Sequence, residues 1–354
     1  MITILVTGAN GFVGKITCAA LSRRGYQVKA AIRALPVSAD LDEYAQFILN
    51  HTCSLSVLAL PPSMVVDRTD SLPVTALPPS MVVVGDINGQ TDWHTALSGV
   101  DVVIHLAARV HVMHETAADA LFAFRLVNTV GTENLARQAV AAGVKRFIFL
   151  SSIKVFGEHA LAEAFTEDTP ASPADDYALS KWEAEQELQK MSAISNMELV
   201  VIRPPLVYGA GVKGNFLRLM RLVKCGLPLP FASISNQRSM VYVENLADLI
   251  GVCVEHPAAA GHVLLCADAE DFSTPALIRG LAKALGAPAR LWPMPVSVFK
   301  KIARLVNKQA EVERLCDSMQ VDTSQTQALL NWRPPYTAAQ GIAVSVADFL
   351  VQRE

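Results

Sequence analysis

No stretch of this sequence carries enough consecutive apolar residues to span a bilayer, which takes about 20, although 51% of its 354 residues are hydrophobic. Basic runs are missing too. Lys and Arg total 30 against 33 Asp and Glu, a formal net charge of -3. A nucleic-acid surface wants clustered cations, so no nucleic acid is expected as a partner. The chain enters an apolar run at Ile2 with no basic segment before it and no small-residue cleavage motif, so a secretory leader is not expected. The six cysteines (Cys18, Cys53, Cys225, Cys253, Cys266, Cys316) form no Cys-x-x-Cys pair. Reduced thiols in a cytoplasmic protein are expected. His111 and His114, with Glu115 beside them, have helical ligand spacing, but nothing completes a set, and structural sites want four ligands. No metal is expected.

What is present is a regular alternation. Apolar runs at 2–7, 28–32, 82–84, 102–106, 147–150 and 200–203 read as strands, and patterns at 12–24 and 128–141 read as helices. Continuous apolar strands alternating with helices predict a parallel sheet covered on both faces. The expected fold is α/β, a Rossmann-like doubly wound parallel sheet with a smaller C-terminal substrate-binding region. After residue 205 prolines and glycines become frequent and strand signals short. The expected dinucleotide-binding domain covers 1–205 plus about 238–265, with the strand-helix piece from Met240 to Cys253 returning to it. The substrate region covers 206–237 and 266–354. Ala59-Leu60-Pro61-Pro62-Ser63-Met64-Val65-Val66 recurs at Ala76 to Val83. Two copies make a local duplication and not an array, so 37–80 is read as an insertion whose second copy runs into the third strand.

Thr7-Gly8-Ala9-Asn10-Gly11-Phe12-Val13-Gly14 lies between the first strand and the first helix. Glycines there allow the tight turn, the close approach of backbone to a pyrophosphate and the packing of helix on sheet. The helix start offers free N–H groups to the phosphates. The expected cofactor is therefore NAD or NADP. The second strand ends Ala31-Ile32-Arg33, with no acid to accept from the ribose hydroxyls. Arg33 suits a 2′-phosphate, which tips the expectation to NADP. Asp86 and Ile87 follow the third strand, placed for the adenine. Ala107 and Ala108 follow the fourth, small enough for a dinucleotide to lie on the backbone.

Tyr177 and Lys181 stand four residues apart, on one face of a helix. A free phenol titrates near 10 and an ammonium near 10.4. A neighbouring cation favours the phenolate, and the pair becomes a proton shuttle for an alcohol or ketone. Ser152 ends the fifth strand, where such folds bind ligands, and can donate to the reacting oxygen.

The glycine loop, Ser152, Tyr177 and Lys181, in this order and spacing, resemble the extended short-chain dehydrogenases/reductases, the NAD-dependent epimerase/dehydratase group. Stretches typical of its nucleotide-sugar members are His105-Leu106-Ala107-Ala108, Asn128-Thr129-Val130-Gly131-Thr132, Arg203-Pro204-Pro205-Leu206-Val207-Tyr208-Gly209, Asn215-Phe216 and Arg238. The resemblance implies that Ser152, Tyr177 and Lys181 are catalytic. It implies that Leu106, Asn128, Tyr177, Lys181, Pro204 and Val207 join the loop residues in cofactor binding, and that Asn215, Arg238 and Arg314 hold a nucleotide diphosphate. It also implies a homodimer.

Within that group, Ser151-Ser152-Ile153-Lys154-Val155, Arg109-Val110-His111-Val112-Met113 and Gly211-Val212-Lys213-Gly214-Asn215-Phe216 are similar to UDP-N-acetyl-quinovosamine dehydrogenases of surface-polysaccharide pathways. Arg109, His111, Lys154 and Phe216 then become further substrate-binding candidates. The implied reaction interconverts a UDP-linked 4-keto-6-deoxy sugar and its 4-hydroxy form. A UDP-glucose or UDP-GlcNAc 4-epimerase is the alternative, and a non-catalytic dinucleotide sensor a remote one. Dehydration is disfavoured. Members that eliminate water place an Asp-Glu pair where this chain has Ile153 and Lys154.

Overall fold

A computed structural model describes residues 1–34, 80–110, 119–157, 163–305, 312 and 315–351. Nine strands are named in chain order: β1 (Thr3–Thr7), β2 (Gln27–Ile32), β3 (Ser80–Val83), β4 (Val102–His105), β5 (Arg146–Leu150), β6 (Glu198–Arg203), β7 (Leu206–Tyr208), β8 (Met240–Tyr242) and β9 (Val263–Leu265). Seven of them form one sheet in the order β3-β2-β1-β4-β5-β6-β9. The expected Rossmann-like α/β fold is what the chain adopts. All five residues of β1 and all four of β4 are buried, as a sheet covered on both faces requires. β1 pairs with β2 on one side and β4 on the other, both parallel. Chain order reverses between β1 and β4, and such a reversal opens the crevice where these sheets bind ligands.

The chain divides into two compact units, one formed by Met1–Phe149, Glu183–Val200 and Ile250–Glu255 and the other by Leu150–Trp182, Val201–Leu249 and His256–Glu354. In the first, helix α1 (Phe12–Arg23) follows β1. Helix α2 (Ala120–Arg125) runs through a π-helical turn, Leu126–Val130, into helix α3 (Gly131–Ala141). The guanidinium of Arg146 lies buried and donates to the carbonyls of Cys253 and Val254 at 2.7 and 3.1 Å. It thereby serves carbonyls at a helix end that have no intrahelical partner.

The second unit starts with the end of β5 and the first turns of helix α4 (Asp176–Ala193). Within it Asp268 is buried, 6% exposed. Asp268 accepts from the Tyr208 hydroxyl at 2.5 Å, the Tyr242 amide at 2.9 Å and the Asn245 amide at 2.7 Å. Burial pushes its carboxyl above the usual range, and these bonds act in the opposite direction.

The short strands after residue 205 take partners that the sequence does not announce. β8 pairs in parallel with β7 in a separate two-stranded sheet, so Met240–Tyr242 does not return to the main sheet. The place beside β6 is taken by β9. Three-residue strands carry too little alternation to show which partner they will take. In the duplicated segment, Ser80–Val83 forms edge strand β3 against β2. The first copy and Ala76–Pro79 lie outside the described residues. Among the described residues no helix is long and apolar enough to cross a membrane.

Candidate active site

The turn after β1 is built by exclusion of side chains. Gly8 has φ +66°, and a Cβ on it would meet the backbone of Ala107 at 2.8 Å. A Cβ on Gly14 would stand 2.0 Å from the Gly8 carbonyl oxygen and one on Gly11 3.0 Å from it. Gly11 N donates to that oxygen at 2.9 Å. Helix α1 has no acidic residue in its first turn and no side-chain cap. Its first N–H groups and its positive dipole end therefore suit an anion. Asn10 and Gly11 are exposed, and Phe12 and Val13 half-buried. A Cβ at Gly14 would also meet Ala9 Cα at 2.8 Å, so glycine there lets α1 start against the turn with its N–H groups free for an anion.

Beneath the turn lies a hydrogen-bonded chain that the sequence reading missed. His105 is fully buried and stacks on Phe149 with ring centroids 5.8 Å apart. Its Nδ1 meets the Thr7 hydroxyl at 2.7 Å and its Nε2 the Thr132 hydroxyl at 2.9 Å. Thr132 donates to the carbonyl of Asn128, and the Ala107 amide donates to Thr7. These bonds are satisfied together when Nε2 carries the ring proton and Nδ1 accepts from Thr7. Asn128, on the π-helical turn, is 1% exposed and binds the amide and carbonyl of Arg109 at 2.8 and 2.9 Å. The loop from Leu106 to Arg109 is thus tied to both β1 and the π turn. A histidine ending the apolar run Val102-Val103-Ile104 was the available signal.

Arg33 Nε pairs with Asp86 Oδ1 at 2.7 Å, with both side chains largely exposed. Ile87 packs where a Cβ of Gly131 would fall, at 2.7 Å.

In the second unit, Ser152 lies two residues past the end of β5 and caps the 3-10 turn Ile153–Phe156, accepting from Lys154 N at 3.3 Å. The Ile153 amide donates to the Pro204 carbonyl at 3.0 Å, which fixes the turn. Ser152 is hydrogen-bonded to the Tyr177 phenol. Burial pushes that phenol up to about 12, Asp175 adds to the rise, and the Ser152 bond works against it. Lys181 lies one turn further along α4 and is 1% exposed. Lys154 Nζ meets Asp175 Oδ2 at 2.6 Å.

The remaining candidates of this unit fall in varied settings. Pro204 is buried and Val207 half-buried. Asn215 is exposed at the start of the helix Gly214–Lys224. Phe216 is 2% exposed and stacks on Tyr208, with centroids 5.3 Å apart. Arg238 donates to the Asp317 carbonyl at 3.0 Å. His111 and Arg314 lie outside the described residues.

The profile of the NAD dependent epimerase/dehydratase family matches residues 4–267, and the chain belongs to that family. A UDP-glucose 4-epimerase of Vibrio cholerae is 50% identical over 270 residues, 75% of this chain and 82% of that protein. An N-acetyl-alpha-D-glucosaminyl-diphospho-ditrans,octacis-undecaprenol 4-epimerase of Escherichia coli O157:H7 is 27% identical over 273 residues, 73% of this chain and 80% of that protein. Among solved structures, UDP-glucuronic acid 4-epimerase from Bacillus cereus in complex with NAD has the same fold, with TM-score 0.74, 20% identity and full coverage of both chains.

The steric grading of the turn makes a prediction. Gly14→Ala is expected to weaken NAD binding by about 100-fold or more, because backbone must move to admit its Cβ. Gly11→Ala should weaken it less. Calorimetric titration with NAD, alongside circular dichroism to check folding, reads both. Equal and near-native affinities would contradict the cradle.

Proposed function

We propose that this member of the NAD dependent epimerase/dehydratase family is a C4 oxidoreductase of UDP-linked hexoses, working as a 4-epimerase with retained NAD. The observation that carries the reading is the hydrogen bond between Ser152 and Tyr177, a relay suited to an alcohol or ketone. The 50% identity to the Vibrio cholerae UDP-glucose 4-epimerase favours epimerisation as its outcome. Gly8, Asn10, Gly11, Phe12, Val13 and Gly14 hold the pyrophosphate. Asp86, Ile87, Leu106, Ala107, Ala108, Asn128, Pro204 and Val207 line the rest of the dinucleotide. Arg109, His111, Asn215, Arg238 and Arg314 serve the UDP-sugar, whereas Phe216 is packed against Tyr208 and Lys154 is paired with Asp175. When bound, the oxidised dinucleotide supplies a hydride acceptor and a positively charged ring. Tyr177 takes the proton of the 4-hydroxyl and later returns it. Ser152 donates to the same oxygen as it gains carbonyl character, and Lys181 offsets the phenolate. At neutral pH a phenol pushed up to about 12 by burial is protonated. Proton abstraction therefore depends on cations close to it. Ile153 and Lys154 supply no acid-base pair for elimination.

A second reading is favoured by Arg33 at the end of β2, a cation where an acid would select NAD. It is a net reductase of a UDP-4-keto-6-deoxy-hexose, using exchangeable NADPH in surface-polysaccharide synthesis. The pairing of Arg33 with Asp86 weakens its pull on a 2′-phosphate.

The assembly proposed is a homodimer. Phe122, Leu126 and Val130 are 63%, 40% and 40% exposed and recur one turn apart along α2 and the π turn. Such a stripe asks for a partner.

Two measurements test these readings. Tyr177→Phe should reduce conversion of UDP-glucose to UDP-galactose, followed by proton NMR, by about 1000-fold, with NAD affinity nearly unchanged. Unchanged turnover would remove Tyr177 from the chemistry. Phe122→Lys is expected to shift the protein from dimer to monomer in light scattering. A wild-type monomer, or a variant that stays dimeric, would contradict the stripe as the interface.

A further inference from the structure

Lys154 stands two residues after Ser152, in the 3-10 turn Ile153–Phe156. Its ammonium reaches Asp175 Oδ2 at 2.6 Å, in a pair whose side chains are only 31% and 21% exposed. The other oxygen, Asp175 Oδ1, accepts from the Ala178 amide at 2.7 Å, and the Asp175 carbonyl accepts from Leu179 N at 2.9 Å. Asp175 is therefore the cap of helix α4, two residues before Tyr177. Capping needs only an oxygen acceptor, which asparagine offers as well as aspartate. A full negative charge beside a phenol that must ionise is a disadvantage, because like charges oppose each other most where water is scarce.

We propose that Lys154 acts on the Tyr177 proton through Asp175, by neutralising the capping carboxylate so that it does not oppose the phenolate. The inference rests on the reading of Tyr177 as the proton-transfer group. It makes Lys154 a positioning residue. Asp175 is the charged group that raises the phenol, and other charged groups stand on the elements nearby. Asp175 and Lys181 stand on its own helix and Lys154 on the turn after β5. Arg203 lies over the rings of Phe156 and Trp182, 4.6 and 5.7 Å from their centroids. Asp175 already stands second, after burial, among the causes that raise the phenol, even with Lys154 in place. Removing Lys154 leaves that carboxylate uncompensated, so ionisation of Tyr177 moves to higher pH. Removing the charge of Asp175 moves it to lower pH. Once Asp175 is neutral, the route from Lys154 through its carboxylate is closed.

The test is a double-mutant cycle read by a probe of the phenol itself. Full-length wild type, Lys154→Met, Asp175→Asn and the double variant are labelled with carbon-13 at tyrosine Cζ and titrated by NMR. The Tyr177 resonance is identified by its loss in Tyr177→Phe. Asp175→Asn should titrate about 0.5 to 1 pH unit below wild type and Lys154→Met above it. The double variant should coincide with Asp175→Asn. If alkaline unfolding precedes titration in Lys154→Met, the comparison of Asp175→Asn with the double variant still decides. An equal Lys154→Met shift in both backgrounds, or no shift with Asp175→Asn, would overturn the proposal. This titration reads Tyr177 whether or not UDP-glucose is turned over, so an inert wild type would sink the functional reading without touching this one. Where turnover is observed, the acid limb of its pH profile should move in the same directions.

Discussion

The contact between Gly14 and the Gly8 carbonyl oxygen leaves no room for a Cβ, and the first unit is arranged around that fact. Only with glycine there can α1 start so close to the end of β1 that its N–H groups face the turn. Gly8 in turn presses on Ala107, so the turn after β1 and the turn after β4 share one shape. Those are the two strands between which the chain order reverses. The buried His105 holds this junction from below, through Thr7 on one side and Thr132 on the other. Each donor in that chain has an acceptor, which is what a polar network under an apolar sheet requires.

In the second unit the chemistry is governed by environment more than by residue identity. A tyrosine in a desolvated place is a poorer acid than one in water, and Tyr177 follows that rule. The proposed use of this phenol as a base then depends on how surrounding charge is distributed. The Ser152 bond favours the phenolate and the Asp175 carboxylate disfavours it, and the proposed role of Lys181 is to favour it as well. The same carboxylate is needed to start the helix that carries both Tyr177 and Lys181. Folding and proton transfer place opposite demands on Asp175, and an ion pair with Lys154 reconciles them.

Much of this was legible in the chain. Long apolar runs revealed β1, β2, β4, β5 and β6 because both faces of those strands are buried, and the glycine turn declared itself by position. The spacing of Tyr177 and Lys181 was readable because it is local. What escaped depends on contacts far apart in sequence. Thr7 and His105 are 98 residues apart, and no pattern in either neighbourhood announces the other. The π turn around Asn128 looked like an ordinary helix start. The pairing of Lys154 with Asp175 could not be read, because only folding brings the two together. Aromatic identity could not reveal that Phe216 stacks on Tyr208 in the core. The pairing of β8 with β7 hung on three-residue strands, too short to carry a period.

The central claim is that hydride leaves C4 of a UDP-hexose and returns to the same carbon while protein groups carry the hydroxyl proton. Incubating the enzyme with UDP-glucose deuterated at C4, and following the product by NMR, tests it most directly. The account predicts UDP-galactose that keeps deuterium at C4, with no free reduced nicotinamide. Deuterium appearing in released NADH or NADPH, with a 4-keto sugar left behind, would contradict it.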